Sequence, residues 1–134
     1  MNSPQRLHPR KPRADGLRSR RTILDAAARL ATVEGLEGLS IGRLADHIGM
    51  SKSGLYAHFG SKEELQLATV ETAAEIFNAD VVAPTETVTS PLARLEALCE
   101  SFLSHLERRV FPGGCFFVSA AAEFDTTLDR SKKK

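Results

Sequence analysis

Between positions 40 and 62 the chain gathers side chains that bond well to phosphates and base edges. Lys52 and Lys62 carry ammonium groups, Ser40, Ser51 and Ser53 carry hydroxyls, Tyr56 a phenol and His58 an imidazole. Lys52 and Tyr56 are four residues apart, so on a helix they share one side. Lys52 is suited to donate to guanine O6 and N7. Tyr56, His58 and Lys62 suit phosphate oxygens, and Gly54, with no side chain, lets the backbone approach a ligand closely. Phosphate contacts fix register while base contacts specify sequence. Each residue also has a plainer reading: Tyr56 as half-buried core, His58 as a helix cap, Lys62 as a solvated first-turn lysine.

Such side chains act together only if short helices hold them. Ser40 is a natural N-cap, and Ile41, Leu44, Ala45 and Ile48 follow at i, i+3, i+4 and i+7, one buried face. Gly49 closes that helix, Met50 is expected to point inward, and Ser51 caps the next helix, over 52–59, buried through Leu55 and Phe59. Gly60 stops it. Ser61 and Glu64 form the capping box of a following helix that runs to about residue 80. Two short helices joined by a glycine turn form a helix-turn-helix, whose second helix enters the DNA major groove. The free N–H groups at the start of that helix also attract phosphate.

Upstream, Ile23, Leu24, Ala27, Ala28, Leu30 and Ala31 predict a helix over 18–34, ended by Gly35, with Leu36 and Leu39 covering the small core. Residues 1–21 hold seven Arg or Lys and one acid, a balance of +6, while residues 22–134 hold 11 basic and 16 acidic groups, a balance of −5. With Pro4, Pro9, Pro12 and Gly16, residues 1–17 read as a disordered basic arm. A basic arm on an acidic body suits a polyanion partner, although a merely solubilising terminus fits the same composition.

Downstream, 81–90 reads as a loop. Ser90-Pro91 opens a helix over 91–110 whose Leu92, Leu95, Cys99, Phe102 and Leu106 form an apolar stripe, widened by Leu98 and Leu103. Phe111-Pro-Gly-Gly114 breaks the chain, residues 115–124 read as a short buried helix, and 126–134 as a disordered basic tail. Cys99 and Cys115 have no CxxC or metal spacing and are expected to be buried free thiols, with a redox pair as the alternative. No metal or cofactor is expected. The chain has no nucleophile elbow, P-loop, dinucleotide fingerprint or HExxH, so an enzyme is not expected. It has no membrane-length apolar run and no signal-peptide core, so a cytoplasmic protein is.

The run from about Arg21 to Leu67 resembles the DNA-binding domain of the TetR family of bacterial transcriptional regulators. The resemblance rests on Ile23-Leu24-Asp25-Ala26-Ala27, Ala45-Asp46-His47-Ile48-Gly49-Met50-Ser51 and the Leu55-Tyr-x-His-Phe-x-x-Lys62 signature. It implies that Tyr56, His58 and Lys62 bind phosphate, that Lys52 to Gly54 read bases, and that Ser40 anchors on the backbone. It also implies that a basic arm including Arg18, Arg20 and Arg21 follows the minor groove. Residues 111–125 resemble part of the family's C-terminal ligand domain. The implied fold is all-α, a helix-turn-helix domain over 18–80 followed by a partial helical ligand-binding and dimerisation domain over 81–125. The implied function is a homodimeric repressor of an inverted-repeat DNA operator, released by a small-molecule effector. Phe102, His105, Phe116 and Phe117 are the candidate effector lining, with core packing the plainer reading of each. Family members are usually longer, so a second reading is a shortened member that binds DNA weakly or modulates a full-length relative.

Overall fold

A computed structural model describes residues 13–131, with side chains described for 19–125. Among the described residues there are six α-helices and no strand: α1 Arg13–Glu34, α2 Ile41–Ile48, α3 Lys52–Tyr56, α4 Lys62–Phe77, α5 Pro91–Glu107 and α6 Phe116–Ser131. The arm before Arg13 and the last three residues lie outside the described residues. Helix α1 begins five residues before the expected start at 18, so part of the expected arm is helical. Helix α6 likewise runs to Ser131, into the expected tail.

The amino-terminal core follows the apolar periodicity. Ile23, Leu24, Ala27, Ala28, Leu30 and Ala31 of α1 are all buried, as are Ile41, Leu44 and Ala45 of α2, Leu55, Phe59 and Leu65. Alanines at the centre of the α1 stripe let α1 lie close along α4. Each fully buried Leu or Phe contributes roughly 1.5–3 kcal/mol. Met50 departs from expectation. It lies at the surface, on the rim of a cleft lined by Ile23, Ala26 and Ile48, with its terminal methyl near Gly54.

Caps end the helices where the sequence places them. The Ser40, Ser51 and Ser61 hydroxyls accept from the N–H groups of Arg43, Gly54 and Glu64 at 3.2, 3.0 and 3.1 Å. The Glu64 carboxylate reaches one residue further back than a standard capping box, accepting from Gly60 N–H at 2.8 Å.

The second half differs more from expectation. Helix α4 ends at Phe77, short of the expected end near residue 80; Asn78–Val82 widens into a π-helical turn, followed by a 3₁₀ turn at Ala83–Thr85 within the expected loop over 81–90. Inserted π turns re-aim side chains and often mark functional positions. This one brings Asp80 to α5. The expected α5 stripe is not buried: Leu92, Leu95 and Leu103 are 67%, 57% and 57% exposed, and Cys99 is exposed while Cys115 is buried. The reason is partnership, since α5 packs on the 78–85 turns and no other described element covers its opposite side.

One contact joining the halves runs through the Gly113 backbone. Gly113 N–H donates to Thr32 Oγ1 at 3.0 Å, and a Cβ at Gly113 would stand 1.9 Å from the Thr32 carbonyl oxygen. We therefore expect Gly113→Ala to destabilise the fold by roughly 1–3 kcal/mol through overpacking, with Gly114→Ala, whose site is sterically open but left-handed, as the comparison in chemical denaturation.

The Asp80 carboxyl is held below the usual carboxylate range, first by the Arg108 guanidinium and then by His105. Its stabilising effect is therefore present above about pH 4 and fades as the pH falls through the lowered value. Asp80→Asn should lower the thermal midpoint at pH 7, and the gap from the parent should shrink in scans near pH 3.

Candidate nucleic-acid interface

Burial of Leu55 and Phe59 fixes α3 and leaves its remaining side chains outside. Tyr56 is 58% exposed, which removes the half-buried core reading. Lys52 and Ser53 are exposed, Gly54 is half-buried, and the Ser51 and Ser53 hydroxyls lie 3.2 Å apart at the start of the helix. Lys52 leans back across α2, where a Cβ on Gly42 would meet its Cε at 3.3 Å. The ammonium group therefore sits over Gly42 in the first turn of α2. Lys62, exposed at the first position of α4, borders a cleft of about 320 Å³ with Glu37, Glu63, Gln66 and Phe124. The structure thus brings Ser51, Lys52, Ser53, Gly54 and Tyr56 onto one short segment, with Lys62 one turn of chain further on.

His58 is half-buried, its ring 6.2 Å from that of Phe59. Its carbonyl has a part that the sequence does not reveal, accepting from Arg20 Nη1 at 2.7 Å. The Arg20 guanidinium also lies over the Phe59 ring, 4.5 Å from its centroid. Arg21 is engaged as well, with Asp25 at 3.2 Å and Glu75 at 2.6 Å. Arg20 and Arg21, expected in a DNA-following arm, are thus tied to α3 and α4. Arg18 lies in α1 with its side chain outside the described residues.

Arg43 of α2 grips Glu34 of α1 in a bidentate pair, which holds the Glu34 carboxyl below its usual range. Among the described residues neither Lys52 nor Lys62 enters a salt bridge. The motif's arginines serve the scaffold and its lysines are available.

Three of the four residues expected to line an effector site converge on one that sequence reading passed over, and the fourth packs on one of them. Phe77, at the end of α4, meets Phe102, His105 and Phe117 at ring-centroid distances of 6.1, 5.8 and 5.8 Å, and Phe116 packs on Phe117 at 5.3 Å. His105 is 1% exposed. Asp80 can only accept, so His105 Nδ1–H donates to its Oδ2, at 2.5 Å. That leaves Nε2 buried among Phe77 and Phe111 without a hydrogen-bond partner. Arg108 donates to the other Asp80 oxygen at 2.7 Å. Nothing in the sequence flags this triad, because its members are 25 and 28 residues apart and meet through the π turn. Among the described residues no group of three or more His, Cys, Asp or Glu could hold a metal ion, and no helix is long and apolar enough to cross a membrane.

A short helix with an exposed lysine, Lys52, set against a capped helix and a buried core and followed by an exposed Lys62 at the start of α4, defines a helix-turn-helix protein. Residues 23–69 match the family of bacterial regulatory proteins of the tetR type, and residues 91–134 match the tetracyclin repressor-like C-terminal domain. The chain belongs to the TetR family. Over 85 residues it is 33% identical to the HTH-type transcriptional activator FasR of Mycolicibacterium smegmatis, covering 63% of this chain and 39% of FasR. Over 50 residues it is 42% identical to the HTH-type transcriptional repressor AcnR of Corynebacterium glutamicum, covering 37% of this chain and 27% of AcnR. The crystal structure of AibR in complex with isovaleryl coenzyme A and operator DNA superposes with a TM-score of 0.61 at 32% identity, over 67% of this chain and 49% of that one. The chain therefore spans about half or less of the length of these relatives.

Arg20→Ala should remove a cation–π contact and a hydrogen bond, costing about 1–3 kcal/mol in denaturant titration. Arg20→Lys should recover only part of that, because an ammonium cannot lie flat on Phe59 while donating sideways to His58.

Proposed function

We propose that this chain is a sequence-specific DNA-binding transcriptional regulator that acts as a repressor on an inverted-repeat operator. The observation that carries the reading is the exposed, unpaired state of Lys52 and Lys62 beside exposed Tyr56 and Ser53, on a motif whose arginines are already engaged. Lys52 with Ser53 and Gly54 reads base edges. Tyr56, Lys62 and the half-buried His58 hold phosphates, and Ser40 with Ser51 sets the helix starts against the backbone. Repression is the form put forward, AcnR being a named repressor while FasR is a named activator.

Homodimerisation follows as part of the same proposal, because two reading heads about one DNA turn apart, roughly 34–36 Å, are what an inverted repeat requires. A small-molecule effector would bind among the C-terminal helices near Phe102, His105, Phe116 and Phe117. The buried, unpartnered Nε2 of His105 supports that placement, and the solved AibR complex with isovaleryl coenzyme A and operator DNA supports an effector. An effector of this kind acts only by binding the two states of the protein with different affinities.

The test is titration of an operator-bearing duplex and a scrambled duplex at two salt concentrations. Lys62→Ala should weaken binding to both duplexes and lower the salt slope by about one. Tyr56→Ala should weaken both alike. Lys52→Ala should also narrow the preference between them, by about 1–3 kcal/mol. Equal binding by the parent and all three variants at low salt would overturn the assignment.

A further inference from the structure

The loop between α1 and α2 is held on one side by α6 and on the other by α4. Gly35, at φ +86°, turns the backbone so that the N–H groups of Leu36 and Glu37 point the same way. Successive N–H groups presented in this manner form an anion-binding nest. The Glu123 carboxylate of α6 occupies it, accepting from Leu36 N–H at 2.9 Å and from Glu37 N–H at 2.8 Å. A Cβ at position 35 would stand 3.2 Å from Glu123 Oε1, so the glycine also leaves room for the approach. On the other side of the same peptide, the Leu36 carbonyl accepts from Gln66 Nε2 of α4 at 2.7 Å and from Leu39 N–H at 3.2 Å. Leu39 is buried and adjoins Ser40, the cap of α2, whose hydroxyl holds Arg43 N–H and whose carbonyl holds Leu44 N–H.

We infer that Glu123 is a positioning residue for the reading head. Its carboxylate ties α6 to the loop that leads into α2, so that a displacement of α6 changes the setting of Ser40 and of Lys52 lying over the first turn of α2. The inference rests on the DNA-binding reading only for its consequence at DNA, because the link from Glu123 to α2 stands on contacts within the chain. A neutral amide would retain one oxygen acceptor and present N–H groups to N–H groups with the other half. Glu123→Gln should therefore hold the loop partly, and Glu123→Ala not at all.

The test is residue-resolved amide hydrogen exchange on the full chain and its Glu123→Ala and Glu123→Gln variants, with binding to the operator duplex measured alongside. Glu123→Ala should speed exchange about tenfold at Leu36 and Glu37, and also at Arg43 and Leu44, while Leu55 and Phe59 keep their protection. Glu123→Gln should fall between the variant and the parent. Affinity for DNA should drop in the same order. Faster exchange confined to Leu36 and Glu37 would overturn the inference, reducing Glu123 to a local cap. A uniform rise at every amide would overturn it too, since Glu123 would then serve general stability only. If the parent chain itself does not bind the duplex, the regulator reading fails, and the exchange pattern at Arg43 and Leu44 still decides the role of Glu123.

Discussion

Helix α3 is five residues long. A segment of that length has almost no helical stability of its own, because isolated helices under about 12–15 residues are marginal in water. Everything at the candidate interface therefore depends on how it is anchored: Leu55 and Phe59 inserted into the core, the Ser51 cap at its start, and Arg20 clasping Phe59 and the His58 carbonyl at its end. With these in place its few outward side chains have fixed origins. Without them the same residues would be a loop, and ordering that loop on DNA would cost conformational entropy that the scaffold has already met.

The division of labour between arginine and lysine follows from their chemistry. The planar guanidinium suits flat stacking and paired carboxylates, and Arg20, Arg21, Arg43 and Arg108 are used in that way inside the molecule. Lys52 and Lys62 are compact charges on flexible stems, able to follow a phosphate backbone without a preset geometry. Charge counting at the amino terminus could not separate the two uses. It credits Arg20 and Arg21 equally to a DNA-seeking arm, whereas both lie within α1 and face Phe59, Asp25 and Glu75.

What could be read from the sequence was what is local. Caps at Ser40, Ser51 and Ser61, the apolar stripe of α1 and the burial of Leu55 and Phe59 all depend on neighbours within a turn or two, and the structure agrees with each. The exposure of Lys52, Tyr56 and Lys62 follows from the same periodicity. Expectation and structure part where partners are distant. The stripe Leu92, Leu95, Cys99 reads as core only if something covers it, and periodicity says nothing of what does. The π turn at Asn78–Val82 has no compositional mark, so neither the meeting of Asp80 with His105 nor the central place of Phe77 was visible. The Glu123 contact spans more than 80 positions and was equally hidden.

The two joints between the halves differ in kind. At Gly113 the main chain lies directly on Thr32, its N–H on the Thr32 hydroxyl, and the close approach leaves no room for a side chain at position 113. At Glu123 a side chain meets main chain. A lineage carrying this architecture could therefore adjust how firmly its halves are joined at Glu123 by single amino-acid changes. The Gly113 joint would stay invariant or be lost outright. The first behaves as a dial and the second as a rivet, so divergence in responsiveness among descendants of such a chain would accumulate at the α6 joint.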